Sequence, residues 1–237
     1  MECKRLSTHS LKLWRERGND CQVARTLRSL SDANRRMNLN EEGIPQAKEA
    51  SEIFEQLGEV DEQAHSLIIL AWLLCQDGRL EAAEETGSRA INLLPEKGEE
   101  FLACLGYRVL GYIYRSGGKM KQAVHHFKTA LRIASSLDVA NQLFWVNYSL
   151  AEVFSEQDRV EDAQTHLDHA KSHALNNTYN LARAMDLQAW IWDQQGKFGD
   201  AKSEALHAID AFEKLGAVDD AEVTRQFLRN IEAQRRI

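Results

Sequence analysis

Five stretches of this chain repeat one pattern of small residues at an almost constant step, and that repetition constrains the fold more than any other feature. Segments beginning at 78, 118, 158 and 196 read Gly-Arg-Leu-Glu-Ala-Ala, Gly-Lys-Met-Lys-Gln-Ala, Asp-Arg-Val-Glu-Asp-Ala and Gly-Lys-Phe-Gly-Asp-Ala. Their closing alanines, Ala83, Ala123, Ala163 and Ala201, stand 40, 40 and 38 residues apart, and 40 before Ala83 stands Gly43. Seven residues after each of these five sites comes Ala50, Ala90, Ala130, Ala170 or Ala208. Twelve residues before them come Ser31, Ala71, Gly111, Ala151 and Ala189, four of them preceded by leucine.

Within each unit, apolar residues recur at i, i+3, i+4 and i+7 on both sides of a turn carrying Gly or Asp, which predicts two amphipathic helices per unit. Small residues at three fixed places let two helix axes approach to the usual ~8–10 Å. The pattern therefore predicts an all-α chain of five stacked α-hairpins over residues 23–61, 63–101, 103–141, 143–180 and 181–218. Residues 1–18 align with 41–58, Trp14 over Phe54 and Gly18 over Gly58, and read as the second helix of a half repeat. Residues 217–237 read as a capping helix, with Val223, Phe227 and Ile231 inward and Arg225, Arg229, Arg235 and Arg236 outward.

These small and bulky sites resemble the tetratricopeptide repeat. Leu110-Gly111, Tyr114, Ala123, Phe127 and Ala130 match its pattern closely, and the first and last units match loosely. The family's usual period is about 34 residues. A step of 40 is similar to the longer repeats of kinesin light chain and of the tails of NOD-like receptors and related signalling ATPases. The resemblance implies one α-α superhelix over 1–237, a right-handed solenoid whose first helices line a concave groove.

Composition narrows the function. With 36 acidic and 29 basic residues the chain carries −7, a field that repels nucleic acid and anionic lipid. No run approaches the ~18 apolar residues of a membrane span. The first residues lack the apolar core of a secretory signal, and Cys3, Cys21, Cys75 and Cys104 lie far apart, so a cytoplasmic, reducing setting is expected. No GxxxxGK[ST], GxGxxG, HExxH or GxSxG motif occurs, and no enzyme activity or cofactor is expected. His166, His169 and His173 share one helical face, but no cysteine or carboxylate completes a four-ligand set, so no metal site is expected and these histidines read as solvated.

The groove face implied by the resemblance follows from the repeat register. It comprises Arg25, Arg28 and Asp32; His65, Ile68 and Trp72; Leu105, Arg108 and Tyr112; Trp145, Tyr148 and Glu152; and Arg183, Asp186 and Trp190. Arg115 lies among them. Aromatic and arginine side chains dominate binding energy at protein interfaces, so Arg28, Trp72, Arg108, Tyr112, Trp145, Tyr148 and Trp190 are the candidate partner-binding residues. The competing expectation is that some of these rings fill the seams between repeats. The Lys and Asn clamp of chaperone-binding repeats is absent, the corresponding places holding Arg28, Asp32, Ile69, Leu105 and Val109. So is the asparagine ladder of kinesin-light-chain-like grooves.

Three functions are compatible with such a face. The foremost is a protein-interaction module for a peptide or helical segment with apolar and acidic residues. The second is the ligand-sensing or autoinhibitory arm of a NOD-like (STAND) signalling ATPase. The third is small-molecule binding against the tryptophans. Self-association through an apolar edge at Leu11 and Trp14 of the half repeat is a further expectation.

Overall fold

The computed structural model describes residues 2–95 and 98–233, with residues 2–8 described by backbone alone. The Cys3 side chain, Arg235 and Arg236 lie outside the described part. Among the described residues there are twelve α-helices and no strand. They are α1 (Glu2–Glu16), α2 (Asp20–Arg36), α3 (Asn40–Leu57), α4 (Val60–Gln76), α5 (Leu80–Leu93), α6 (Glu100–Ser116), α7 (Met120–Leu137), α8 (Ala140–Glu156), α9 (Val160–His173), α10 (Thr178–Gln194), α11 (Phe198–Lys214) and α12 (Val218–Ala233). Helices α2 and α3, α4 and α5, α8 and α9, and α10 and α11 pair as hairpins, and α6 meets α7 where Gly111 and Tyr112 touch Phe127; α1 precedes this run and α12 follows it. The chain divides into two compact units, residues 1–133 and 134–237, the boundary falling inside α7.

The backbone repeats at half the step of the sequence. Left-handed residues stand at 18, 38, 58, 78, 98, 118, 138 and 158, twenty apart each time, and then at 175, 196 and 216. At 18, 38, 58, 78, 118, 158, 196 and 216 the helix ends by the same hydrogen-bonding device, in which the next amide reaches back five residues, as from Arg79 N–H to Leu74 O (2.9 Å), Lys119 N–H to Tyr114 O (2.8 Å) and Lys197 N–H to Trp192 O (2.9 Å). Glycine supplies most of these turns, but Asn38, Asp138, Asp158 and Leu175 adopt the same conformation. Asn and Asp tolerate it; a leucine there is strained by about 1–2 kcal/mol. The first helices begin three residues ahead of the unit starts read from sequence, at Asp20, Val60, Glu100, Ala140 and Thr178. Their first turns are largely solvated, so the apolar pattern does not register them.

In the first unit the small residues do what their spacing implied. A methyl group built on Gly111 would lie 2.5 Å from the Phe127 ring, and one on Gly106 would lie 2.4 Å from Ile91. Any side chain at Gly111 would thus force α6 and α7 apart. Ala71, Ala83 and Ala90 pack without exposure in a core with Leu67, Leu70, Leu73, Leu110 and Ile113. Leu11 and Trp14 of α1 are partly buried and pack against the cluster of Val23, Leu27 and Phe54, so the expected apolar edge is covered in part. Among the described side chains of that helix Leu13 is exposed.

In the second unit α8 is buried on nearly every side, from Leu143 through Phe154. Ala182, Ala208, Phe212 and Ala221 form one cluster, and Ala189, Ala201, Ala205, Phe227 and Ile231 another. The buried stripe of α12 is Ala221, Thr224, Phe227 and Ile231, whereas Val223 is 59% exposed, contrary to its expected inward place. A strict four-residue step drifts around a helix that turns every ~3.6 residues, so three residues at that step do not stay on one stripe. Arg225 and Arg229 both pair with Glu222 on the outer surface of α12.

Candidate functional site

In the first unit α2, α4 and α6 pack side by side, and their expected groove residues form one continuous ladder of charge and aromatic rings. At its α2 end Arg28 pairs with Glu62, which also takes Arg25 at 3.2 Å. Arg28 also donates to His65 Nδ1 at 2.8 Å. A guanidinium can only donate, so His65 is the neutral tautomer protonated on Nε2. Burial first, and then the charge of Arg28, pushes its pKa down to about 4.

One turn along, Asp32 accepts from Arg35 (2.8 Å) and Arg36 (2.7 Å). Burial works to raise the Asp32 carboxyl, but the two arginines outweigh it and hold it below its ordinary range. The Arg35 guanidinium in turn lies 4.7 Å from the centroid of the Trp72 ring. Arg108 lies 5.0 Å from the same centroid and 6.0 Å from that of Tyr112, whose ring meets Trp72 at 4.9 Å. Trp72, Arg108 and Tyr112 are all partly exposed. Tyr112 also meets Phe127 edge-on at 5.3 Å, which ties the ladder to the core.

The second unit treats its expected residues differently. Tyr148 is only 2% exposed, carries Arg183 over its ring at 5.2 Å, and has no free face for a partner. Burial on α8 overrides its place in the register. Arg183 pairs with Asp220 (3.2 Å) and Glu152 (3.8 Å), and Tyr179 donates to Asp220 at 3.1 Å. Asp186 is buried and accepts from Thr224 at 2.7 Å; burial raises its pKa. Trp145 is partly exposed, edge-on to Phe144 and Tyr148. Trp190 is 42% exposed while stacking on Phe227 at 4.1 Å, so one of its faces is occupied and the other open.

The structure thus brings Arg28, Trp72, Arg108 and Tyr112 into one ladder, leaves Trp145 and Trp190 as separate aromatic positions, and seals Tyr148. Sequence reasoning missed Arg35, Glu62 and Asp220 as members of these networks. The i, i+3 spacing of Asp32 and Arg35 was the available signal for the first; the others sit on neighbouring helices. Among the histidines, His126 stacks on Tyr114 at 4.9 Å, and His166 stacks on Phe154 and bonds Asn147 at 2.9 Å. Both are half-buried between the two helices of a hairpin, and His166 is one of the histidines expected to be solvated. Among the described residues no three His, Cys, Asp or Glu side chains converge as metal ligands, and Cys21, Cys75 and Cys104 are free thiols. No helix among them is long and apolar enough to cross a membrane.

Hairpins closed by a left-handed residue every twenty positions, with glycine or alanine at the crossings, define a helical-repeat protein of the tetratricopeptide kind. The family model of the MalT-like TPR region matches residues 36–233, and the chain belongs to that family. No curated protein matches it. Among solved structures it is similar to a Rap protein complexed with Competence and Sporulation Factor, at 16% identity and a TM-score of 0.68, covering 91% of this chain and 65% of that one. It is also similar to BtubC (BKLC) from P. vanneervenii, at 17% identity and a TM-score of 0.73, covering 90% and 91%. A third likeness is to aspartyl phosphate phosphatase F from Bacillus subtilis, at 11% identity and a TM-score of 0.65, covering 90% and 61%. At such identities the likeness is one of fold. This chain spans just under two thirds of the length of the Rap and phosphatase chains.

Proposed function

We propose that this protein is a non-enzymatic interaction module, working in an aqueous reducing compartment, that holds an extended or helical segment of a partner against α2, α4 and α6. The observation that carries this reading is the Arg35–Trp72–Arg108–Tyr112 ladder, where two guanidiniums flank one partly exposed indole beside a second ring. Aromatic and arginine side chains held this way are pre-ordered, so little side-chain entropy is lost when a partner docks. The fold supports the same reading, since a protein sharing it was solved with Competence and Sporulation Factor bound. Trp190, in the second unit, offers a separate aromatic contact.

The test is selection of a displayed library of random short peptides on the full chain, followed by calorimetric titration of the enriched sequences. Trp72→Ala should weaken them by about 2 kcal/mol or more with helicity unchanged. Affinity that ignores Trp72→Ala refutes the assignment. A second reading, that the repeats form the sensing arm of a STAND signalling ATPase, is favoured by the family's being named for the repeat region of MalT. A phosphate-binding loop encoded in frame with this chain supports that setting; its absence from the gene rejects it.

A further inference from the structure

A guanidinium taken out of water keeps its charge at high cost unless a carboxylate or several acceptors replace the lost solvent. The arginines of this molecule's helix faces mostly follow that rule. Arg25 and Arg28 share Glu62, Arg35 and Arg36 share Asp32, and Arg183 has Asp220 and Glu152. Arg108 departs from it. Its Nε is buried and has no hydrogen-bond partner. Burial acts on it most strongly, followed by the phenol of Tyr112, which also hydrogen-bonds it, the thiol of Cys104 and the guanidinium of Arg35; no carboxylate is among them. Burial pushes the Cys104 thiol up to about 11, so it stays protonated and supplies no negative charge. Burial also weighs against the charge of Arg108 itself.

What holds Arg108 is aromatic. Trp72 and Tyr112 lie against it, and on Trp72 it shares the indole with Arg35, so two cations are drawn to one ring. Cation–π contact offsets only part of the lost hydration, and two like charges on one ring repel. The site is short of one negative charge. Arg36 is 71% exposed and solvated, so Asp32 serves chiefly Arg35, and a single carboxylate balances the guanidinium left over, that of Arg108.

Building on the interaction-module reading, we infer that Arg108 is the anion-binding point of this face, taking one carboxylate of the partner, from an Asp or Glu side chain or a chain terminus. The carboxylate accepts from Nε–H and an adjacent terminal N–H, the bidentate geometry that a guanidinium offers. The ligand's neighbouring apolar group lies on Trp72 and Tyr112. Because Nε is covered by its surroundings, entry requires a side-chain rotation at these partly exposed rings, a change common at interfaces.

The test uses nitrogen-15 spectra of the full chain, in which the Arg108 Nε–H signal is identified by its loss in Arg108→Lys and the Trp72 indole signal by its loss in Trp72→Phe. The probes are acetyl-glutamate methylamide, acetyl-alanine and acetyl-glutamine methylamide at constant ionic strength. Both signals should move together and saturably with the carboxylates and stay in place with the glutamine derivative. Response to acetyl-glutamate methylamide alone assigns a side-chain carboxylate, and response to acetyl-alanine alone a chain terminus. Signals that ignore all three probes, or follow the glutamine derivative equally, overturn the inference. Selected peptides that lose affinity in Trp72→Ala but keep it in Arg108→Gln also overturn it while leaving the interaction face intact. An Arg108 shift with carboxylates when no displayed peptide binds keeps the anion point and removes the peptide reading.

Discussion

Arg108 in the first unit and Arg183 in the second stand on first helices, each over an aromatic ring, in opposite electrostatic surroundings. Arg183 is neutralised at home: Asp220 and Glu152 hold its guanidinium while Tyr148, almost wholly buried, floors it. Arg108 has the rings without the acids, and its Nε is left unpaired. The same pair of residue types therefore builds a structural strut in one unit and a vacancy for charge in the other. An exposed arginine beside an aromatic residue says little about binding until the acids around it are counted.

The largest effect separating the two belongs to Arg183. Arg183→Met removes the counter-charge from Asp220 and Glu152 and should cost about 3 kcal/mol in thermal or urea unfolding. A cost near zero would mean the pair is a strut in geometry only. Next comes the pH response of the first unit. Native His65 stays neutral down to about 4, whereas the unfolded residue takes its proton near 6.5. The unfolded state thus binds the proton first, and stability falls as pH drops through that window and levels off below it. Allowing for partial exposure, the loss is about 2 kcal/mol, and His65→Gln should flatten the limb between those limits. An unchanged limb in the variant places the titration elsewhere.

A smaller effect of opposite sign is expected at the ladder. Arg108→Met removes a partly buried charge that no carboxylate pairs and should raise stability by about 1 kcal/mol while removing carboxylate binding, the trade-off expected of a site kept for a ligand. Destabilisation there would make Arg108 a second strut and erase the contrast with Arg183. The smallest change concerns the turns. The second unit uses Leu175 where the first uses Gly58 and Gly98. Leu175 is 70% exposed and gains little from packing, so Leu175→Gly should stabilise by about 0.5–1 kcal/mol, read from the thermal midpoint.

The repeat was legible because its cause is local. Gly111 must be small since Phe127 sits on it, and the two are sixteen residues apart within one hairpin, inside the reach of a periodic pattern. The face of α2, α4 and α6 was legible in outline for the same reason, as Arg28, Trp72, Arg108 and Tyr112 follow from the register. What escaped were the partners: Glu62 for Arg28, Asp220 for Arg183 and Phe227 for Trp190 lie 34, 37 and 37 residues away. A periodicity of 40 brings those helices together without saying which carboxylate reaches which guanidinium. Tyr148 and Val223 show the complementary failure, because the register assigns a face and only the neighbouring helices decide how much of that face is covered.

By itself the sequence determined that this chain is a run of α-hairpins, since helix period, turn residue and crossing residue are short-range properties written into each forty-residue unit. Which arginine is neutralised and which is left with a free donor was decided by the tertiary structure alone. Charge compensation depends on distances of a few ångströms between side chains of different helices, and the electrostatic energy at stake changes steeply over that range.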